Sequence, residues 1–461
     1  MMKTLKSASP VRQLAMLTFA IASTAAAAFD PTQEKARIAA ILERTYPHLE
    51  SLYKDIHTHP ELGFHETRTA AILAKQIRAL GFEVTEGFGG STGIVAVYRN
   101  GPGPTIMIRT ELDALPMEDK TGLPYASHVQ VPASWSADND SNAPGTIFVT
   151  HSCGHDIHMA WWLGTAQTLV ALKNEWQGTL VFVGEPAEEI GGGATGMLEA
   201  GLLSKFPKPD YGFAAHVSPD LAGTITMKDG AFSGNSDTFQ VVFRGRGGHG
   251  ANPERTIDPI VIAAHFVTDV QTIVSREKSP ALAGVISVGS FHAGSAGNII
   301  PDHADLKLTM RSTAPQVRTM LLEGMKRTAN AVAEMANAPA PEFRRIGGGA
   351  TSGVNDSALV ARTRPVVDAA FGNRVNFVSA DVPGHTGVET YAEFINAGVP
   401  SIFYYIGGTD PKLIAAGKAS GAPVPGNHSP DFAPVPETSI RTGVELLTLS
   451  VLNVAKTDGQ P

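Results

Sequence analysis

Eight consecutive positions, His151-Ser152-Cys153-Gly154-His155-Asp156-Ile157-His158, hold three histidines, an aspartate and the only cysteine of a 461-residue chain. A thiolate and a neutral imidazole are preferred ligands for zinc and its transition-metal neighbours. Cys153 and His155 stand two apart, a spacing that in an extended segment points both side chains toward one ion or a close pair. Gly154 lets the backbone bend between them. His158 falls inside a helix expected to open at Asp156, where it either joins the cluster or packs beside it. A lone cysteine is ordinarily a small buried hydrophobe, but the density of ligands around this one favours metal. Two ligands do not hold a catalytic ion, so the others must come from elsewhere in the chain.

They are expected at strand ends on the same edge. Residues 105–109 read as a buried strand, apolar and bounded by proline and glycine, that runs into Thr110-Glu111-Leu112-Asp113. Residues 179–184 read as another, ending in Glu185-Pro186-Ala187-Glu188-Glu189, and residues 211–216 as a third, ending in His216. Open α/β sheets place their chemistry at such ends. Neighbouring carboxylates on a turn point in different directions, so one of Glu188 and Glu189 can bind metal while the other faces the water it activates. His428, on the Pro/Gly-rich turn Gly426-Asn427-His428-Ser429-Pro430, is a further candidate.

The elements that must position these residues alternate. Helices are expected over 34–52, 66–80 and 156–172, with residues 56–64 as a loop between the first two. Beyond Val354 come a helix to Phe371, a strand 375–378, a helix 388–397, a strand 401–405 and a last helix 436–454. Strands alternating with helices predict an α/β fold, a mainly parallel mixed sheet flanked by helices. Residues 236–345 interrupt it with the order β-α-β-β-α-β, a ferredoxin-like α+β unit. The catalytic domain is therefore expected over 29–235 and 346–461, split by an inserted domain over 236–345. The polar, aperiodic stretch 125–150 is too long for an ordinary connection and reads as an excursion near the site entrance.

With 43% hydrophobic and 17% charged residues the chain has the composition of a globular enzyme, and a net charge of −8 without basic runs excludes a nucleic-acid partner. Lys3, Lys6 and Arg12, the apolar run 14–22 and the small residues Ala26-Ala27-Ala28 have the layout of a secretory signal peptide over 1–28, too short to serve as a stable membrane anchor. A periplasmic or secreted protein is expected. Its single thiol, with no disulfide partner in the chain, should then be buried or metal-bound.

Six motifs occur in order: His59-Pro60-Glu61-Leu62-Gly63-Phe64, Leu112-Asp113-Ala114-Leu115-Pro116, Cys153-Gly154-His155-Asp156, Pro186-Ala187-Glu188-Glu189, Gly248-His249-Gly250-Ala251-Asn252-Pro253 and Asn427-His428-Ser429-Pro430. Together they resemble the metal-dependent amidohydrolases that include hippurate hydrolases, N-acyl-amino-acid hydrolases and plant auxin-conjugate hydrolases, related to the aminoacylase and glutamate carboxypeptidase metallopeptidases. The resemblance implies two divalent metal ions, zinc first and manganese as the alternative, held by Cys153, His155, Glu189, His216 and His428. It implies Glu188 as general base and Asp113 as the carboxylate that orients a ligand. It also implies an inserted domain that acts as lid and dimerises the chain. From there His249 would reach the scissile carbonyl, and Asn298 and Arg311 the substrate carboxylate. The implied substrate is an N-acyl amino acid. A dipeptidase or carboxypeptidase with the same site, or a non-catalytic metal or ligand carrier, are the alternatives.

The chain departs from that pattern in three places. Glu111 stands where close relatives have aspartate and the wider clan a metal-binding histidine. The stretch 129–148 is longer than usual. Gly387-Val388-Glu389-Thr390-Tyr391 replaces Ser-Glu-Asp-Phe, keeping Glu389 and losing the aspartate. These departures are expected to bear on substrate more than on chemistry.

Overall fold

The computed structural model describes residues 29–90, 92–136, 143–348, 351–384 and 387–455; the expected leader, 1–28, lies outside them. An eight-stranded sheet forms the centre. Its order is Glu83–Glu86, Ile94–Asn100, Gly178–Glu185, Thr105–Glu111, Tyr211–Leu221, Ser401–Thr409, Ile225–Lys228, Val375–Val378. The strands around Thr105–Glu111 and Tyr211–Leu221 pair in parallel, and antiparallel pairs lie toward both edges. Alternate residues of each strand go to opposite faces. Ile106, Ile108, Leu180 and Phe182 enter one core, and Met107, Val181 and Val183 the other.

The first core is built around the helix His155–Ala171, which lies between the helices Pro31–Thr58 and Pro436–Ala455. Being apolar on all sides, it is buried on all sides. Trp162 ties it to the central strand by donating to the Ile108 carbonyl at 3.1 Å. Its N-cap, Gly154, has φ +90°, and a Cβ there would lie 2.4 Å from Val217 Cγ1, so only glycine fits between Cys153 and His155.

Asn235 to Gly348 supplies a separate four-stranded antiparallel sheet, ordered Gly284–Ala293, His303–Ser312, Asn235–Arg244, Glu342–Gly348. Helices Pro259–Thr272 and Pro315–Met335 cover one face over Phe239, Val241, Phe243, Leu306, Leu308 and Met310. The opposite face is polar and carries Ser236, Thr238 and Arg311 to a cavity shared with the large sheet's end.

Several local expectations differ from the structure. The first helix runs on to Thr58, so His57 is helical, not part of a loop. The helix expected over 388–397 forms only over Tyr391–Asn396, because Glu389 and Thr390 are drawn into buried polar contacts. The stretch 125–150 contains a short hairpin, Gln130–Pro132 with Thr146–Phe148, over a small apolar cluster of Leu62, Ala114 and Val149; its tip, 137–142, lies outside the described residues. Among the described residues no helix is long and apolar enough to cross a membrane.

The helical course of His57 has an electrostatic consequence. Its Nδ1 lies 2.6 Å from Asp156 Oδ2 and its Nε2 3.0 Å from Asp119 Oδ2. Burial opposes its charge, but the bonds to Asp119 and Asp156 outweigh it and push the pKa up to about 9. The same bonds hold both carboxylates low against the burial that would raise them. The folded value exceeds the ordinary 6.5, so this stabilisation is full below pH 6.5 and is lost as pH rises through about 9. The carboxylates, held low, lose their contribution only in acid. Replacing His57 with glutamine should lower stability near neutrality by roughly 3 kcal/mol, the size of a broken buried pair. Denaturation measured from pH 6 to 10 should show a decline in the wild type and a flat profile in His57→Gln. Parallel profiles would refute the assignment.

Candidate active site

Four segments deliver the candidate ligands to one end of the central sheet. Cys153 and His155 come from the start of the buried helix, Glu188 and Glu189 from the turn after Gly178–Glu185, His216 from within Tyr211–Leu221, and His428 from a turn where it adopts φ +66°. Cys153 Sγ lies 3.4 Å from His216 Nε2, His155 Nε2 3.7 Å from Glu189 Oε1, and His428 Nε2 3.3 Å from Glu189 Oε2. Donor atoms of Cys153, Glu189 and His428 fall within 4.8 Å of one another, as do those of His155, Glu188 and Glu189. Glu189 belongs to both groups.

The hydrogen bonds around these atoms decide which can take a cation. His155 Nδ1 faces the Asp113 carbonyl at 2.8 Å and His216 Nδ1 that of Val217 at 2.7 Å. A carbonyl only accepts, so each ring carries its proton on Nδ1 and presents a lone pair from Nε2. His155 Nε2 and Glu189 Oε1 are buried without a hydrogen-bond partner among the described residues. Facing acceptors buried without donors are costly unless a cation lies between them. The donor set therefore fits a divalent metal. Asp113 supports it from behind, accepting the Glu189 N–H at 2.9 Å while lying 3.3 Å from His155 Nδ1.

His158 and Glu111 form a third such group with His155 and His216, but their atoms are committed. His158 Nε2 accepts the Val217 N–H at 2.9 Å, which leaves Nδ1 to donate to Glu111 Oε2 at 2.9 Å. The other Glu111 oxygen pairs with Arg109. Both residues pack beside the ligands instead of joining them.

Arg109 is the group that sequence reasoning missed. Fully buried, it donates from Nε to Glu185 at 2.7 Å and from Nη2 to Thr390 Oγ1 at 3.0 Å, and pairs with Glu111 and with Glu389 at 2.9 Å. An arginine closing an otherwise apolar strand one residue before the Thr110-Glu111 pair was the available signal. Both substituted positions, Glu111 and Thr390, touch it. The departures expected to bear on substrate thus lie behind the strand end that leads to Glu188 and Glu189.

Burial raises the Glu188 carboxyl well above its ordinary range, and the charges of Glu389 and Glu189 add to the effect. Burial likewise raises the Cys153 thiol, with Glu189 adding to it. A bound cation would reverse both tendencies. A cavity of about 1000 Å³ opens over these groups, lined by Cys153, Glu188, Glu189, His216 and His428 on the catalytic side and by Arg311 from the inserted unit. His249 and Asn298 are exposed and do not line it. They sit on the loops that carry the short antiparallel pair Gly248–His249 and Ile299–Ile300.

Fold and donor set define a metal-dependent hydrolase of amide or peptide bonds. Residues 107–451 match Peptidase family M20/M25/M40, and the chain belongs to that family. It is 36% identical to N-acetylcysteine deacetylase of Bacillus subtilis over 64% of this chain and 73% of that protein. It is 37% identical to hippurate hydrolase of Campylobacter jejuni over 62% of this chain and 70% of that protein. In three dimensions it resembles the B. subtilis YXEP protein, a dinuclear metal-binding peptidase of the M20 family, with a TM-score of 0.70 and 28% identity over 90% of this chain and 99% of that one.

The hydrogen-bond assignments separate two histidines three residues apart. His155→Ala should strip divalent metal from the purified protein, measured by plasma mass spectrometry. His158→Gln should retain it. Loss of metal in His158→Gln alone would overturn the assignment.

Proposed function

We propose that the chain hydrolyses the amide bond of N-acyl amino acids, releasing a carboxylic acid and a free amino acid. One observation carries this reading: Glu188 lines the cavity beside the acceptors His155 Nε2 and Glu189 Oε1, which have no hydrogen-bond partner among the described residues, and Arg311 lines the same cavity. Cys153, His155, Glu189, His216 and His428 would hold two divalent ions, zinc first and manganese as the alternative. Bound metal supplies an acidified water and a polarised carbonyl. Glu188 then takes the proton from the attacking water at a carboxylate oxygen and returns it to the leaving nitrogen. Asp113 keeps the proton of His155 on Nδ1 and fixes the main chain of Glu189. The Arg311 guanidinium is a fork for the substrate carboxylate.

A carboxypeptidase or dipeptidase would use the same groups, and a dipeptidase would additionally need a partner for a free ammonium. A non-catalytic carrier has no use for a carboxylate in the position of Glu188. We further propose export by the leader at 1–28 and a homodimer formed by the inserted unit, in which His249 and Asn298 reach the partner's cavity. Their exposure and their absence from the lining of their own cavity support this arrangement.

Release of amino acid from N-acetyl, N-benzoyl and long-chain N-acyl amino acids and from dipeptides tests the reaction. Chelator-sensitive hydrolysis of an acylated member is expected. Glu188→Gln should lower kcat by about three powers of ten or more with metal retained, given what a general base and an activated water contribute. Preference for free dipeptides would favour the exopeptidase, and silence under every metal would favour the carrier. For the dimer, mixing inactive Glu188→Gln with inactive His249→Ala should restore activity, since a mixed dimer contains one site with both groups intact. No recovery would place His249 outside the partner's site.

A further inference from the structure

The turn that carries Glu188 is held at three points, and the third has no assigned role. Ala187 adopts φ +52°, a left-handed conformation that a non-glycine residue keeps only under constraint. Its N–H donates to Glu66 at 2.7 Å, and the N–H of Glu189 donates to Asp113 at 2.9 Å. Those bonds fix the main chain on either side of Glu188 and leave its carboxylate unheld. The carboxylate is held by Thr390, whose main-chain N–H lies 3.2 Å from Glu188 Oε1.

The threonine hydroxyl does something else. It has one proton, and the 2.6 Å contact to Glu185 Oε1 takes it in preference to the 3.4 Å contact to Glu188. Its lone pair accepts from Arg109 Nη2 at 3.0 Å. Side chain and main chain thus serve different partners: the first is clamped to the ends of two central strands, and the second reaches the cavity. Thr390 is the residue before the short helix Tyr391–Asn396, so no strand or helix ladder fixes its N–H direction. The clamp does.

We propose that Thr390 is a positioning residue for Glu188: clamped between Arg109 and Glu185, it sets the main-chain N–H that aims the catalytic carboxylate. This rests on Glu188 as the general base.

Thr390→Val keeps the volume and the N–H and removes both side-chain bonds. The expected result is a fall in kcat of about 10- to 100-fold, the size of effect that follows from misplacing a reacting group by up to an ångström. KM should stay within roughly twofold, because the substrate contacts are untouched, and metal content should not change. Thr390→Ser, which restores both bonds, should recover most of the rate. In a Glu188→Gln background, Thr390→Val should add no further loss. The inference is overturned if Thr390→Val keeps the wild-type kcat, if Thr390→Ser is as slow as Thr390→Val, or if Thr390→Val slows Glu188→Gln by the factor it imposes on the wild type. Should Thr390→Val not fold, Thr390→Cys against Thr390→Ser makes the same comparison with a weak hydrogen-bonding group of similar size. An active Glu188→Gln enzyme would remove the base assignment itself. Full loss in Glu188→Gln with no effect at Thr390 would remove only this inference.

Discussion

A single buried guanidinium supports the catalytic end of this molecule. Arg109 closes the apolar part of the strand Thr105–Glu111 and meets Glu111, Glu185, Glu389 and Thr390 away from the surface. Isolated carboxylates at that depth would be neutral or would force the core apart. With Arg109 among them they become fixed points: Glu185 ends the strand that leads into Glu188 and Glu189, Glu111 holds His158, and Glu389 and Thr390 bring a distant segment of chain to the cavity. Removing the cation would leave three buried charges facing one another.

The donors in front of Arg109 follow the opposite rule. Where the arginine supplies hydrogen-bond donors in excess, the cluster of His155, His216 and Glu189 supplies acceptors, its imidazole protons tied down by the carbonyls of Asp113 and Val217. This polarity suits the site to a cation. The order of layers, metal donors in front and carboxylates with arginine behind, comes from the parallel register of Thr105–Glu111 with Gly178–Glu185, which sets Glu111 opposite Glu185.

Residue types and spacing made much of this legible. Buried parallel strands are apolar throughout, so their ends stood out as places where charge begins; Glu188 and Glu189 follow one such end, whereas His216, expected to close its strand, lies inside Tyr211–Leu221, which runs on for five more residues. The inserted unit was readable from Asp237 to Phe243, where strand alternation appears, and from the long helix over 315–335. What stayed hidden depends on contacts between distant segments. Glu83–Glu86 and Ile225–Lys228 are short and lie toward the edges of the sheet, with too few residues to show a period. His57 sat beside a motif that suggested a loop, and only its bonds to Asp119 and Asp156 explain a histidine inside the core. No spacing rule links Thr390 to Glu188, which is 202 positions away.

The pair of substitutions at Glu111 and Thr390 makes sense as charge and reach around one arginine. Glutamate, a methylene longer than aspartate, is the residue whose carboxylate here spans from Arg109 to His158 Nδ1. Threonine in place of a second aspartate leaves three carboxylates on Arg109 instead of four. The shell is already at its limit: burial pushes Glu389 up to about 7 although Arg109 opposes it, and burial raises Glu185 as well. A fourth carboxylate in that shell would have to take a proton or cost several kcal/mol of desolvation. A hydroxyl accepts from Arg109 and donates to Glu185 without adding charge, and so keeps the site behind Glu188 both satisfied and neutral enough to stay buried.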